Sequence, residues 1–336
     1  MRWLEITIEP KSSVLTPWQA DTLFGHMAWE MSYEHGEKKL REWLDSFALP
    51  DDEEERAAFM PPFVLSDGFA SGWLPRPMLP PRKRNASEFS LNEARQAKKQ
   101  KNLRWLRTER WLEGNYHDMA GLSKQGEWMT RLSMHNIIDR NTIQTLEEGG
   151  LFANEEYSLP INPDSGEAQK VSIFAAVRSD TDSQQLIALM ERVALIGYGK
   201  RKSVGYGQFR ICDVHDRSEW WNKWGKRANA QMWLSHGVPS RYDSVNGWYR
   251  VKTKHGKIGE GWSDLKNPFK KPLSRIVPGS VFTIPEGRYR SYAGCMIDNI
   301  SDYRPEIVQY AYALTLPLVI EETAYEEDSV LFTGRI

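Results

Sequence analysis

Four closely spaced glycines stand between an amphipathic helix pattern and a strand pattern, within residues 197–207. The helix pattern covers Gln184 to Ile196, and the strand pattern covers Gln208 to Val214. Glycines at this density are typical of a tight loop, because glycine adopts positive φ angles without steric cost. A tight loop that joins a helix directly to a strand limits the number of folds that the chain can adopt.

The remaining patterns complete a βαββαβ order around this loop. Residues Arg2 to Glu9 alternate apolar and polar side chains and predict a strand, and Lys170 to Arg178 predict another. Two helices are predicted at about Ala20 to Tyr33 and Glu37 to Phe47. The order is that of a ferredoxin-like domain, so the predicted fold class is α+β with an insertion at about 60–165.

The chain is long enough for two domains, since it has 336 residues. The predicted first domain covers residues 1–215, a tryptophan-rich connection covers 216–246, and a β-rich second domain covers 247–336. Strands of the second domain are predicted at Gly247 to Lys254, Lys270 to Ile276, Ser280 to Ile284 and Tyr312 to Ile320.

The insertion combines a proline- and glycine-rich segment with a basic one. Pro61 to Pro81 is predicted to be irregular, and Leu91 to Leu112 is predicted to be a protruding charged helix. The net charge of the chain is −1, but Arg82 to Arg110 holds ten lysines and arginines against three glutamates, a local charge of +7. Such segregation suits a protein that binds RNA on one face, and a solvated helix face is the alternative.

Composition limits the remaining classes. No apolar run reaches the roughly 18 residues of a membrane span, and the N-terminus does not resemble a secretory signal, so no membrane contact is expected. Cys212 and Cys295 lie far apart, which argues against a disulfide framework or a cysteine zinc site. A cytoplasmic location and no cofactor are expected.

The glycine-rich loop carries the most specific chemistry. Lys200, Arg201, Lys202 and Ser203 stand between the glycines Gly197, Gly199, Gly205 and Gly207. Backbone amides of such a turn bind anions, and the cations and hydroxyl would contact phosphates. Tyr198 and Tyr206 are predicted to stack on bases. The spacing matches neither a Walker loop nor a dinucleotide fingerprint, and a hairpin with solvated lysines is the alternative.

Residues Gly197 to Phe209 resemble the glycine-rich loop of the RAMP superfamily of CRISPR proteins. Further segments resemble one branch of it, the Cas-five group, and most closely the fourth Csm subunit of type III-A effectors. The segments are Thr22 to Trp29, Phe63 to Phe69, Leu74 to Pro77, Glu93 to Lys99, His135 to Arg140, Gly149 to Phe152 and Pro272 to Phe282.

This resemblance implies two ferredoxin-like (RRM-like) domains and a hairpin thumb, somewhere within about 76–160, that pushes between guide bases. It implies a non-catalytic antiviral subunit that binds the 5′ handle of the crRNA near the target RNA. The implied protein partners are a large Cas-ten-type subunit and a backbone Cas-seven-type subunit. The glycine loop would hold the handle, and Gly25 on the first helix would face it.

Two histidines bear on whether the chain cuts RNA. His26 follows Gly25 where the family pattern has a small or apolar residue, and His135 precedes Arg140. Both histidines, and Arg140, are predicted to contact RNA. The alternative is a metal-independent crRNA-processing endoribonuclease with a histidine base. An equivalent subunit of a type III-D or type VII system and a purely structural subunit also remain open.

Overall fold

The structure is a computed structural model that describes residues 2–79, 103–116, 122–123, 126–138, 144–145, 150–160, 168–259 and 268–321. The described residues form α-helices at Ala20–Asp45 (α1), Glu53–Ala58 (α2), Thr108–Leu112 (α3), Asp180–Ile196 (α4) and Ser218–Gly225 (α5). The strands of the N-terminal part are Arg2–Pro10 (β1), Phe63–Ala70 (β2), Trp73–Pro75 (β3), Trp105–Arg107 (β4), Leu122–Ser123 (β5), Met129–Asn136 (β6), Leu151–Ser158 (β7), Val171–Val177 (β8) and Phe209–Asp216 (β9). Those that follow are Ala230–Trp233 (β10), Gly247–Trp248 (β11), Val251–Lys254 (β12), Leu273–Ile276 (β13), Val281–Thr283 (β14), Tyr292–Ala293 (β15), Met296–Ile297 (β16), Gln309–Tyr310 (β17) and Ala313–Leu318 (β18).

The first sheet has the strand order β2–β8–β1–β9. All three pairings are antiparallel, and Ile6 of β1 pairs with Ile173 on one side and Val214 on the other. Read across the sheet, these four strands are the second, third, first and fourth strands of the βαββαβ series. This is the ferredoxin-like arrangement, so the predicted fold class is confirmed for the N-terminal part. Helices α1 and α4 bury Met27 and Val193 against the sheet.

Helix α1 is bent at a glycine. The sequence predicted two helices on either side of residues 34–36, and Gly36 adopts a left-handed conformation with φ of +80° inside the continuous span. A glycine at this angle interrupts the helix without the steric penalty that other residues would incur. The first half of α1 therefore packs on the sheet while the second half changes direction.

The prediction that Pro61 to Pro81 is irregular is wrong for the two strands in it, β2 and β3. Strand β2 occupies Phe63–Ala70 and is buried along its whole length. The prolines flank this strand instead of interrupting it, and the glycine Gly68 follows a register shift in the pairing with β8. A Cβ at Gly68 would lie 2.6 Å from Trp18 Cβ, so the glycine permits close packing there.

The insertion contains a hairpin and a small sheet. Strands β6 and β7 pair antiparallel from Met129–Ser158 to Asn136–Leu151, and β3, β4 and β5 form a second unit. Most of the basic run lies outside the described residues. Its described end differs from the predicted helix, because Trp105–Arg107 is a strand and the helix covers only Thr108–Leu112. Leu106 is fully buried in that strand, and its packing outweighs helix propensity.

The second sheet has the order β11–β14–β10–β18–β15. Its pairings are antiparallel, and Met232 of β10 pairs with both Val281 and Leu316. Residues 216–246, predicted to be a connection, supply α5 and the central strand β10. No α-helix follows α5 in the described part of the chain, and the ferredoxin-like character of 247–336 stays a prediction.

The two sheets share one core. Trp221 of α5 stacks on Trp3 of β1 with ring centroids 4.1 Å apart. The Leu65 amide of β2 donates to the Tyr310 hydroxyl at 3.0 Å, and the Asp67 amide donates to the Leu234 carbonyl at 2.9 Å. Strand β2 is therefore held to the C-terminal part of the chain at two points. No helix of the described residues has the length and apolarity to cross a bilayer.

Candidate nucleic-acid interface

Residues 197–207 form a closed loop, the glycine loop, between α4 and β9. The Gly197 amide donates to the Val193 carbonyl at 2.8 Å and ends the helix with a φ of +99°. The Tyr198 amide donates to the Gly207 carbonyl at 2.9 Å, and the Gly207 amide donates to the Ser13 carbonyl at 3.0 Å. These bonds hold the neck of the loop, while residues 200–205 project from it.

Two of the glycines in this loop are required for different reasons. Gly207 has a φ of +73°, and a Cβ there would overlap the Tyr198 carbonyl. Gly205 has a φ of +97°, but a Cβ there meets nothing within 4 Å. The neck therefore excludes every side chain at Gly207, whereas Gly205 is needed only for its backbone conformation.

Tyr198 does not fulfil the predicted role of stacking on a base. Its side chain is fully buried and stacks on Trp18 with ring centroids 4.2 Å apart. Its hydroxyl donates to the Pro17 carbonyl at 2.7 Å and accepts the Gln19 amide at 2.9 Å. Burial raises the pKa of this hydroxyl far above its usual value. Tyr198 anchors the loop to the segment before α1, and a base could reach it only if the core opened.

Tyr206 is the loop tyrosine that remains partly accessible. Its hydroxyl donates to Glu156 Oε1 of β7 at 2.9 Å, and this hydrogen bond raises its pKa. The predicted stacking role remains a proposal for Tyr206 alone. The bond to Glu156 ties the glycine loop to the hairpin of β6 and β7.

His26 of α1 holds the glycine loop from the opposite side. The Gly199 amide donates to His26 Nε2 at 2.8 Å, and the Lys200 amide approaches Thr16 Oγ1 at 3.4 Å. An Nε2 that accepts an amide proton carries a lone pair and no proton. The histidine thus positions the loop backbone. One residue earlier, a Cβ at Gly25 would meet no described atom within 4 Å, which leaves the helix surface open there.

The loop tip presents cations to solvent. Lys200, Arg201 and Ser203 are exposed, and Lys202 is half-buried. Among the residues that the structure describes, no carboxylate forms an ion pair with Lys200 or Arg201. Arg201 has a left-handed φ of +57°, which turns the backbone sharply at the tip. An exposed turn that carries cations at its tip is suited to bind phosphates.

The hairpin extends this surface. The Arg201 guanidinium lies 4.7 Å from the Phe152 ring centroid, and His135 stacks on the same ring at 5.4 Å. His135 Nε2 is buried and has no hydrogen-bond partner among the described residues. Arg140 lies outside the described residues, so its predicted pairing with His135 stays a prediction. His135 and Arg201 at the loop tip therefore both contact the ring of Phe152.

One face of the hairpin is apolar and exposed. Leu132 is 69%, Met134 66% and Leu151 69% exposed. Alternation along paired strands brings these side chains to the same face, opposite to Phe152. Large apolar side chains at this exposure indicate a surface that contacts another molecule.

Sequence reasoning missed three parts of the site. Thr16 carries no motif that would mark it as a support of the loop, and the segment Gly149 to Phe152 assigned no role to the Phe152 ring. A cluster around Asp21, in which Lys254 and Arg275 contact its carboxylate, joins positions more than 230 residues apart in the chain. Only the tertiary fold brings such residues together, and no signal in the local sequence could have found them.

Comparison with known proteins identifies the fold. No protein-family model and no curated protein matches the chain. A chain of the crystal structure of a Csm1–Csm4 cassette in complex with pppApA superimposes with a TM-score of 0.59 at 15% identity, covering 97% of this chain and 100% of that one. A chain of a Csm3–Csm4 subcomplex from a type III-A CRISPR-Cas interference complex gives a TM-score of 0.58 at 13% identity, with 95% and 99% covered. Csm4 is the subunit common to both assemblies, so the predicted resemblance to the fourth Csm subunit is confirmed at the level of fold.

Proposed function

We propose that this chain is a subunit of a type III CRISPR effector that binds the 5′ handle of the crRNA and does not cut it. The observation that carries the proposal is the glycine loop, whose exposed cations stand on a fixed neck in a fold shared with Csm4-containing assemblies. A loop with a fixed neck and an exposed, positively charged tip can bind the phosphates of an RNA strand without recognising a particular nucleobase.

The hairpin supports the same function. Its apolar face, with Leu132, Met134 and Leu151, fits the predicted thumb that separates guide bases, because apolar wedges unstack bases at a cost of a few kcal/mol. Its other face lies against the glycine loop through Phe152 and Glu156. The thumb and the phosphate-binding tip would then act on neighbouring parts of one RNA strand.

The position of His26 argues against the endoribonuclease alternative. A general base must offer a free lone pair to the 2′-hydroxyl of the RNA. His26 Nε2 already accepts the Gly199 amide, so its lone pair is occupied. His135 stacks flat on Phe152 with its Nε2 buried. Neither arrangement presents a base to a bound strand.

The partners follow from the assemblies in which this fold occurs. The similar chains come from complexes that also contain Csm1 or Csm3. We therefore propose a large Cas-ten-type subunit and a backbone Cas-seven-type subunit as partners, with crRNA bound and target RNA nearby. A type III-D or type VII assembly would provide equivalent partners.

Purification of the intact assembly tests this proposal. The tagged chain, expressed with its neighbouring genes, should retain a large polymerase-like subunit and RNA of one uniform 5′ end. Incubation with repeat RNA in EDTA should leave the RNA intact. An assembly that forms without RNA would contradict handle binding, and metal-independent cleavage that is lost in His26→Ala or His135→Ala would support the nuclease.

A further inference from the structure

Strands β12 and β13 pair with each other in a two-stranded sheet of their own. The pairing continues beyond the strands, because the Ile258 amide donates to the Pro268 carbonyl at 2.7 Å. The described residues of 250–276 therefore form one unit, the basic hairpin. Residues 250–276 hold eight lysines and arginines against two carboxylates, a formal charge of +6. A charge of this sign and size favours an anionic partner.

Part of this charge is neutralised inside the protein. Lys254 Nζ donates to both oxygens of Asp21 at 3.0 and 2.9 Å, and an Arg275 nitrogen donates to Asp21 Oδ2 at 3.0 Å. Burial alone would raise the pKa of Asp21, but Lys254 and Arg275 outweigh it and the pKa lies below its usual value. Lys271 pairs with Asp302 at 2.9 Å. The contacts with Asp21 fix the hairpin against the start of α1.

Lys252 is a cation of the basic hairpin that reaches solvent. Its side chain is exposed, and no carboxylate of the described residues forms an ion pair with it. Lys252 pairs across the hairpin with Arg275, and alternation along β12 places it on the same face as Lys254. Two residues of a strand span roughly 7 Å, so Lys252 lies about that far from Lys254, on the face of the hairpin that meets α1.

Helix α1 is contacted by both the glycine loop and the basic hairpin. The Gly199 amide donates to His26 Nε2 at 2.8 Å, and Lys254 Nζ donates to Thr22 Oγ1 at 3.0 Å. Thr22 and His26 are four residues apart in the helix, so their Cβ atoms are about 5–6 Å apart. The loop and the hairpin therefore reach α1 within one helical turn of each other.

The two contacts lie on opposite flanks of α1. Asp21, which binds the hairpin, and His26, which holds the loop, are five residues apart and so point about 140° apart around the helix axis. The positions of Thr22, Gly25 and Trp29 fall between these two directions, and all three residues are half-buried. This strip of the helix is the floor of a groove, with the loop as one wall and the hairpin as the other.

The groove has an open floor and extends along the helix. A Cβ at Gly25 would meet no atom within 4 Å, so this part of the floor is uncovered. The hairpin stays beside α1 as far as Trp29, because a Cβ at Gly259 would lie 3.6 Å from Trp29 Nε1. The helix rises about 10 Å from Thr22 to Trp29, so the hairpin flanks about two turns of it.

We propose that the basic hairpin is the second wall of this groove for the RNA strand held by the glycine loop, and that Lys252 contacts a phosphate of that strand. The inference rests on the proposed function. Both walls carry exposed cations, and a positively charged groove that follows the backbone is the usual way in which proteins bind single strands. A strand with a negative charge at every nucleotide fits two basic walls that face one open floor.

The test measures binding of a short, fluorescently labelled single-stranded RNA to the full chain at several salt concentrations. Lys252→Gln removes one phosphate contact, and for single strands the salt slope falls by about 0.7 for each lost contact. The affinity advantage of the wild-type chain over Lys252→Gln should therefore shrink about 2.6-fold between about 50 and 200 mM salt. Lys252→Arg keeps the charge and should keep the wild-type slope.

Lys38→Gln is the matched control, because Lys38 is exposed beyond the bend of α1 at Gly36. This variant loses the same charge and should keep the wild-type slope. Lys252→Met removes the charge with a different unbranched side chain and should repeat the loss seen in Lys252→Gln. Both variants at Lys252 should unfold at the wild-type temperature, since exposed side chains contribute little to stability.

Each other outcome overturns the inference. An unchanged slope in both Lys252→Gln and Lys252→Met, or an equal loss in Lys38→Gln, would show that Lys252 contacts no phosphate of the strand. Loss of a protein subunit from the purified Lys252→Gln assembly, with an unchanged slope for RNA, would assign the hairpin to an acidic protein surface instead. If the wild-type chain binds no RNA, the proposed function fails. If replacement of Lys200, Arg201 and Lys202 lowers the slope and Lys252→Gln does not, that function stands and only the second wall fails.

Discussion

Removal of the three cations at the tip of the glycine loop should weaken RNA binding and flatten its dependence on salt. In the triple variant Lys200→Ala, Arg201→Ala, Lys202→Ala, two of the removed side chains are exposed and one is half-buried. The neck of the loop is closed by backbone hydrogen bonds of Tyr198 and Gly207, which these substitutions leave in place. The fold should therefore persist, and unfolding free energy should change by only about 0.5 kcal/mol, as for other surface substitutions.

The magnitude follows from the number of phosphate contacts that the tip can make. Each lost contact to a single strand lowers the salt slope by about 0.7, so two or three contacts lower it by about 1.4 to 2.1. Between about 50 and 200 mM salt, a fourfold range, the wild-type advantage should shrink by about 7- to 18-fold. Fluorescence anisotropy of a labelled single-stranded RNA, titrated at several salt concentrations, measures both affinity and slope.

A matched variant separates the loop from general electrostatics. Lys38, Lys39 and Arg41 lie exposed near the far end of α1, where two of them pair with glutamates of the same helix. Replacement of these three by alanine removes the same formal charge away from the loop. Equal slopes for the two triple variants, or a wild-type slope for the loop variant, would refute the assignment of RNA binding to the glycine loop.

Three further outcomes are expected. In chemical denaturation, Gly207→Ala should destabilise the chain by about 1–3 kcal/mol more than Gly205→Ala. Both substitutions strain a positive φ, but only the new Cβ at Gly207 would clash with the Tyr198 backbone. Equal losses of stability would contradict the packing at the neck. Gly25→Ala should raise stability by up to about 1 kcal/mol and leave RNA binding intact. Gly25→Leu should fold equally well but weaken RNA binding, because its larger side chain would occupy the space next to the helix that is open at Gly25. Unchanged RNA binding by Gly25→Leu would show that Gly25 is not part of the interface. Unfolding free energy should rise as the pH increases from about 8 toward 10, because burial lowers the pKa of Lys270 to about 8 and the folded chain therefore binds this proton more weakly than the unfolded chain does. Lys270→Gln should remove this rise, and a rise that persists in the variant would assign it to another group.

Local patterns were sufficient to predict the first sheet. Strand β8 and helix α4 could be recognised from the spacing of their apolar residues. The predicted order of strands and helices matched that of the ferredoxin-like sheet. The bend of α1 at Gly36 was visible as a gap between two helix patterns. Strand β2 was missed because flanking prolines resemble loop signals, although burial on both faces decides its conformation.

The sequence predicted the position of the glycine loop correctly, but it predicted the roles of the loop's side chains less well. The glycines of residues 197–207 mark positive φ angles, which glycine adopts without steric cost, so the loop itself could be located from sequence. Tyr198 and Tyr206 are identical in local pattern, yet one is buried against Trp18 and the other contacts Glu156. Which tyrosine faces the core depends on the segment before α1, and that packing is not encoded within the loop.

A structure of the assembled particle with its RNA tests the phosphate grip of the glycine loop most directly. The account predicts side-chain nitrogens of Lys200 and Arg201 about 2.7–3.2 Å from phosphate oxygens of an uncut strand near its 5′ end. Density that leaves residues 199–203 in bulk solvent, with every nucleotide beyond their reach, would contradict it.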